Sequence, residues 1–84
     1  MKDNLVSIIT PVFNSEVFIH LTIESIQSQT YKNWELILID DFSTDSSISI
    51  IKKYADNDSR IRYFINETNS GAAISRNIGL NKAI

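Results

Sequence analysis

The feature that most constrains the fold is an unbroken apolar run, Leu36–Ile39, which ends directly on two carboxylates, Asp40 and Asp41. A strand with apolar residues at consecutive positions has to be covered on both faces, which is typical of the centre of a parallel sheet. Parallel strands end at one edge of their sheet, and the ligands of open α/β sheets bind beyond that edge. We therefore expect Glu35–Ile39 to be the central strand. The two aspartates should lie at a ligand-binding rim rather than in the core, because burying a charge is costly.

The other apolar segments alternate between the periodicities of strands and helices. Leu5–Thr10 and Ile61–Ile65 are short runs of strand-forming residues, and Pro11 is expected to stop the first of them. Apolar residues recur at helical spacing within Ser15–Thr30, again between the second and third strands, and after Gly71. The order βαβαβα predicts an α/β fold, a three-layer Rossmann-like half-domain with three parallel strands in the order 3-2-1.

Composition limits the class of protein. The chain has 84 residues, which allows one domain at most, and it has no cysteine, so disulfides and thiolate metal sites are excluded. A net charge of −2 and the lack of a basic run argue against a nucleic-acid partner. No apolar run approaches the ~20 residues of a membrane span, and the N-terminus lacks the apolar core of a signal peptide. We therefore expect a cytoplasmic protein.

Local sequence leaves open the roles of the residues that follow the first two strands. Asp41, in the stretch DDFSTD, suits a turn or helix cap about as well as a ligand contact. For Asn14 and Glu16, a helix cap and a first-turn acid are favoured over a ligand contact. Phe13 suits either the core or the face of a planar base.

Two residues near the third helix are candidates for binding a diphosphate. Gly71 permits close approach of the backbone and leaves amides free at a helix N-terminus, which is a natural anion site, although a lone glycine is weak evidence. Arg76 lies one to two turns inside that helix and could reach a diphosphate, although a solvated arginine is the more common role. His20, the only histidine, is interpreted as a surface residue.

Three blocks of the sequence, in order and at fitting spacing, resemble the nucleotide-binding half of the family 2 glycosyltransferases, which are inverting enzymes of the GT-A fold. The first block is VSIITPVFN, which is similar to an opening strand that usually ends in Pro-Val-Tyr-Asn, so that Phe13 stands where Tyr is common. The second is SIQSQTYKNWELILIDDFSTDSS, and the third is NETNSGAAISRNIGLNKA. The resemblance runs from about Val6 to Ala83 and covers practically the whole chain.

The resemblance implies that residues 1–84 are the N-terminal, nucleotide-sugar-binding half of a GT-A domain. Asp41 would accept a hydrogen bond from N3–H of uracil, and Asp40 would support the pocket. This role fits the chemistry, because an ionised carboxylate only accepts hydrogen bonds and repels the lone pair that cytosine presents at N3. The nucleotide-binding residues expected are Thr10, Pro11, Phe13, Asn14, Glu16, Asp40, Asp41, Gly71 and Arg76.

Two parts that the resemblance implies are missing from the sequence. They are the Asp-x-Asp motif that would hold a divalent metal, Mg²⁺ or Mn²⁺, on the diphosphate, and the carboxylate that would act as catalytic base. The sequence stops at Ile84 within an apolar helical stretch that has no Gly or Pro stop, which is typical of a truncated domain. We therefore expect a donor-binding fragment, inactive alone, whose parent transfers a sugar from a UDP-sugar to an acceptor hydroxyl.

Two other classes stay open, a regulatory α/β module and an oligomerisation module. A phospho-receiver-like domain fits poorly, because it needs acids after strand one and an aspartate after strand three, where this chain has TPVFN and NETN. In a doubly wound sheet of order 3-2-1-4, truncation would leave Leu5–Thr10 as an apolar edge. We therefore also expect homo-oligomers that form through this strand.

Overall fold

Three strands alternate with three helices along the chain, as the sequence predicts. The structure is a computed structural model, and it describes residues 4–83. The elements are β1 (Val6–Val12), α1 (Ile19–Gln27), β2 (Trp34–Asp40), α2 (Ser47–Asn57), β3 (Ile61–Ile65) and α3 (Ala72–Lys82).

The central strand is β2, which pairs in parallel with β1 on one side and with β3 on the other. Leu36 lies opposite Ile8 of β1 and Ile61 of β3, and all seven residues of β2 are buried. Burial at every position follows from the continuous apolar run, because both faces of the strand are covered. The predicted strand order 3-2-1 is confirmed.

The helices cover the sheet in two layers. On one face, Trp34, Leu36 and Leu38 of β2 form a single core cluster with residues of α1 and α2 such as Ile23 and Ile51. On the other face lies α3, where Gly79 comes so close to the sheet that an added Cβ would lie 2.3 Å from Cγ2 of Ile9 and 3.4 Å from Cγ1 of Ile39. The three-layer arrangement is therefore confirmed.

Two acidic side chains of the central strand are buried, Glu35 near its start and Asp40 at its end. Glu35 is 4% exposed, and its Oε1 accepts a hydrogen bond of 2.9 Å from Nη2 of Arg62 on β3. The same Nη2 donates to the carbonyl oxygen of Lys82 at 2.6 Å. The buried charge of Glu35 is thus paired, as burial requires, and the pair ties the last turn of α3 to the sheet.

The prediction that Pro11 stops the first strand is wrong, since β1 continues through Pro11 to Val12. The amide of Val6 donates to the carbonyl of Asn33, and the carbonyl of Val12 accepts from the amide of Asp41. Residues of β1 with even numbers therefore turn their backbone groups toward β2, and Pro11 faces the opposite edge, where its missing N–H removes no bond of this ladder.

The predicted bounds of the first helix are also wrong. Instead of Ser15–Thr30, α1 spans Ile19–Gln27. The amides of Phe18 and Ile19 both donate to the carbonyl of Ser15 in a turn that leads into the helix. Ile84, in the stretch expected to extend the third helix, lies outside the described residues. No helix among residues 4–83 is both long and apolar enough to cross a membrane.

Candidate functional site

The carboxyl ends of the three parallel strands meet at one edge of the sheet, and the loops that follow them form the candidate site. These loops comprise residues 13–18 after β1, residues 41–46 after β2 and residues 66–71 after β3. The amide of Asp41 donates to the carbonyl of Val12 at 2.7 Å, and the amide of Asn66 donates to the carbonyl of Asp40 at 2.8 Å. Parallel pairing therefore continues one step beyond the strands and fixes where each loop begins.

Asp41 lies at the centre of this edge and binds the loop after β3. Its Oδ1 accepts hydrogen bonds from Nδ2 of Asn66 at 2.9 Å and from the amide of Ser70 at 2.7 Å. Its Oδ2 accepts from the amide of Gly71 at 2.7 Å. All three donors are uncharged groups, and they replace the water that a carboxylate would otherwise bind.

These hydrogen bonds keep Asp41 ionised. The side-chain bond from Asn66, followed by the backbone bond from Ser70, lowers the pKa of Asp41 below its ordinary value, although burial opposes the shift. The expectation that both aspartates stay out of the protein interior is wrong, because Asp40 is 1% exposed and Asp41 is 4% exposed. Burial is tolerated where neighbouring donors satisfy the charge.

Asp40 shapes the turn after β2. Its Oδ2 accepts a hydrogen bond of 2.8 Å from the amide of Ser43, which closes a turn in which Phe42 has a φ of 61°. Its Oδ1 is buried and has no hydrogen-bond partner among residues 4–83. The carboxylate of Asp40 thus closes the turn after β2 and does not line the pocket described below.

The loop after β1 is joined to the loop after β2 by hydrogen bonds between side chains and backbone. Oδ1 of Asn14 accepts from the amide of Thr44 at 2.8 Å, and the amide of Asn14 donates to Oγ of Ser43 at 2.9 Å. Asn14 has a φ of 46°, a left-handed conformation that asparagine tolerates better than most residues. The favoured interpretation of Asn14 as a helix cap is therefore wrong, because its side chain holds the neighbouring loop.

The next two residues of this loop are held in the same way. The amide of Ser15 donates to Oγ of Ser47 at 2.7 Å, and the amide of Glu16 donates to Oδ2 of Asp45 at 3.2 Å. The side chain of Glu16 is exposed and lies before the first residue of α1, so it is not a first-turn acid of that helix. Local sequence did not single out Asp45 or Ser47, because each lies about 30 positions from the amide that it binds.

A small pocket of about 100 Å³ opens beside Asp41. Its walls are Pro11, Val12, Phe13, Asp41 and Ala72, and Phe13 is 49% exposed. Of the predicted site residues, Pro11, Phe13 and Asp41 meet at this pocket, and Gly71 joins them through its hydrogen bond to Asp41. A larger pocket of about 390 Å³ lies between α1 and α2, where its lining includes His20.

The remaining predicted residues do not line the small pocket. Thr10 lies within β1, and Arg76 is exposed on α3 without an ion pair to any residue from 4 to 83. The amide of Gly71 is not free for an anion, because it donates to Asp41. Within the described residues there is also no group of three or more His, Asp or Glu that could hold a metal ion, so this part of the chain does not fit a divalent cation.

Known proteins resemble this chain in sequence and in fold. An uncharacterized glycosyltransferase of Haemophilus influenzae is 53% identical over 83 residues, which is 99% of this chain and 33% of the relative. S. aureus TarS 1–349, solved in complex with UDP, superposes with a TM-score of 0.86 at 32% identity over 95% of this chain and 24% of that one. A mannosyltransferase from Pyrobaculum calidifontis, PcManGT, solved with GDP-Man and Mn²⁺, shares the fold with a TM-score of 0.86 at 24% identity over 94% of this chain and 24% of that one.

The chain spans about a third of the length of the H. influenzae relative. The predicted α/β fold is confirmed, and it is shared with TarS and PcManGT. Residues 7–84 match the profile of Glycosyl transferase family 2, and the chain therefore belongs to this family.

Proposed function

We propose that this chain is the donor-binding part of a glycosyltransferase that transfers a sugar from a nucleotide-sugar to the hydroxyl of a saccharide or other acceptor. The donor we propose is a UDP-sugar. The proposal is supported by membership of glycosyl transferase family 2 and by the likeness to TarS, which was solved with UDP. Since the chain covers a third of its relative, the transfer reaction is proposed for a longer parent protein.

The observation that carries the proposal is the ionised carboxylate of Asp41 in the wall of a pocket that also contains an exposed aromatic ring. Oδ2 of Asp41 accepts one hydrogen bond from the described residues, from the amide of Gly71, and a carboxylate oxygen has two lone pairs. N3–H of uracil would donate to the remaining lone pair. The lone pair at N3 of cytosine would be repelled, so the pocket selects uridine over cytidine nucleotides.

Phe13 and Arg76 would bind the two ends of the nucleotide. The half-exposed ring of Phe13 borders the pocket, where it can stack on a planar base. Arg76 is exposed and without an ion pair in the described structure, so its guanidinium is available to a diphosphate. Thr10, Pro11, Asn14, Glu16, Asp40 and Gly71 complete the proposed nucleotide-binding set.

A divalent cation, Mg²⁺ or Mn²⁺, is proposed for the parent enzyme, as PcManGT was solved with Mn²⁺. Residues 4–83 form no site for it, so its ligands would have to come from elsewhere in the parent. On its own, this chain supplies the residues that recognise the base and the guanidinium of Arg76, which binds the diphosphate. The cytoplasmic location expected from the sequence stays a prediction.

The proposed function is tested by titrating UDP and CDP into the 84-residue chain and recording amide NMR spectra together with binding heats. We expect UDP to shift the signals of Phe13, Asp41 and Gly71, and CDP to bind more weakly. Asp41→Asn should weaken UDP binding about fivefold or more, because the charge assistance of the hydrogen bond is lost. Asp56→Asn, at an exposed position on α2, is the matched control and should bind UDP like the wild type. Absence of shifts at the strand ends at millimolar UDP would contradict the proposal.

We also propose that the chain self-associates through β1. Among the described residues β1 pairs with β2 alone, and Val6 near its start is 45% exposed. The backbone groups of Ser7 and Ile9 face away from β2, whereas Pro11 on the same edge offers no N–H. A second strand can therefore pair with the part of β1 that precedes Pro11. A two-fold dimer would pair β1 with its copy in antiparallel orientation.

A further inference from the structure

Asn66 bridges the carboxylate of Asp41 to a buried hydroxyl on α3. Its Nδ2 donates to Oδ1 of Asp41 at 2.9 Å and to Oγ of Ser75 at 3.0 Å. A side-chain amide nitrogen carries two hydrogens, so both are used. Ser75 is 0% exposed, and its amide donates to the carbonyl of Gly71 at 3.0 Å, which fixes it in the first turns of α3.

The environment allows one orientation of the Asn66 side chain. The flipped amide would place its carbonyl oxygen against the carboxylate of Asp41, where two acceptors repel each other. The backbone of Asn66 is fixed as well, since its amide donates to the carbonyl of Asp40 at 2.8 Å. Asn66 therefore presents its donors in a direction set by the ends of β2 and α3.

This orientation distinguishes the two oxygens of Asp41. Oδ1 accepts two hydrogen bonds, from Asn66 and from the amide of Ser70, which uses both of its lone pairs. Oδ2 accepts one, from the amide of Gly71, and Asp41 lines the small pocket. The lone pair that remains for a ligand therefore belongs to Oδ2.

We propose that Asn66 and Ser75 are positioning residues for nucleotide recognition, which hold the Asp41 carboxylate so that Oδ2 alone is offered to an N–H group of the base. The inference rests on the proposed function. Asn66 acts through Asp41. Ser75 acts through Asn66, whose second hydrogen it accepts, and also directly, because its hydroxyl helps to lower the pKa of Asp41. A single acceptor oxygen held in one direction selects a base that has an imide N–H, such as uracil.

The test uses the 84-residue chain with Asn66→Ala, Ser75→Ala, the double variant, and Asn81→Ala as matched control. Asn81 is exposed near the end of α3, away from the strand ends. The first readout is the titration of the Asp41 carboxyl carbon by NMR without nucleotide. The second is the affinity for UDP as a function of pH, with the melting temperature measured for every variant.

We expect Asn66→Ala to raise the pKa of Asp41 toward its ordinary value and to weaken UDP binding about fivefold. The affinity of this variant should start to fall at a higher pH than that of the wild type, since binding needs the ionised carboxylate. Ser75→Ala should act in the same direction with a smaller effect, the double variant should show the largest effect, and Asn81→Ala should change neither readout.

The possible outcomes separate this inference from the proposed function. If the wild type binds UDP and Asn66→Ala binds it within twofold with an unchanged titration of Asp41, the positioning role is overturned and the proposed function stands. If the wild type does not bind UDP, both are overturned. Should Asn66→Ala fail to fold, the near-isosteric Ser75→Ala decides the question: a raised pKa of Asp41 with weaker UDP binding supports the positioning role, and no change in either readout overturns it.

Discussion

Gly79→Ala is expected to destabilise the protein, although alanine is the better helix former. Gly79 lies in α3 where the helix contacts the sheet, and an added Cβ would lie 2.3 Å from Cγ2 of Ile9. An ordinary carbon–carbon contact is about 3.5–4.0 Å, so the helix or Ile9 would have to move by roughly 1.2–1.7 Å. Ile9 is β-branched and stiff at χ1, so the methyl group cannot simply swing away.

The expected magnitude follows from two opposing effects. Overpacking of this kind costs about 1–3 kcal/mol, and a contact this short belongs in the upper half of that range. The higher helix propensity of alanine returns about 1 kcal/mol. The free energy of unfolding should therefore fall by about 1–2 kcal/mol, which corresponds to a melting temperature roughly 5–15 °C lower in a domain of this size.

Thermal and urea unfolding followed by circular dichroism measure the change, and a double-mutant cycle with Ile9→Ala assigns its cause. Ile9→Ala removes Cγ2 and leaves the Ile9 Cβ at 3.4 Å from the added methyl, which is close to an ordinary contact. Gly79→Ala should therefore be neutral or stabilising in the Ile9→Ala background. A Gly79→Ala protein that melts at or above the wild-type temperature, or an equal loss in both backgrounds, would refute the close approach of α3 to β1.

Three further predictions concern acid stability, catalysis and assembly. Arg60 donates to Asp58 and lowers the pKa of its carboxyl to about 2, so the pair stabilises the fold above pH 4 and loses this contribution as the pH falls from about 4 to about 2. Asp58→Asn should lower the free energy of unfolding by about 1 kcal/mol at pH 7, after allowance for solvent screening. The free energy of unfolding of this variant should also depend less on pH in the acid range, whereas Asp56→Asn should change neither quantity. The 84-residue chain should transfer no sugar from UDP-sugars with or without Mn²⁺, and metal-dependent transfer by the pure chain would contradict this. Sedimentation should detect dimers or larger species that Val6→Lys shifts toward monomer, and a clean wild-type monomer at high concentration would rule out assembly through β1.

The central strand and the strand order could be predicted because they depend on local sequence. A continuous apolar run such as Leu36–Ile39 has to be covered on both faces whatever surrounds it, and short segments between strands and helices leave little choice of topology. The effect of Pro11 could not be predicted in the same way. It depends on which edge of β1 the missing N–H faces, and this is decided by the register with β2.

The partners of Asp41 could not be predicted from the sequence around it. Asn66 is 25 residues away and Ser70 is 29 residues away, and both reach Asp41 only because α2 and β3 return the chain to the same edge of the sheet. Local sequence left two roles open for Asp41. The resemblance to a family identified the residue as important, but it did not indicate that three donors of the protein already bind its carboxylate.

The joining of the loop after β1 to the loop after β2 has a consequence for the entropy of ligand binding. Three consecutive amides, those of Asn14, Ser15 and Glu16, donate to side chains of Ser43, Ser47 and Asp45. A loop that is immobilised during folding loses little conformational freedom when a ligand arrives, so more of the contact energy is expressed as affinity. The pre-organisation of the pocket at Phe13 thus depends on the side chains of Ser43, Ser47 and Asp45, which need not contact the proposed nucleotide.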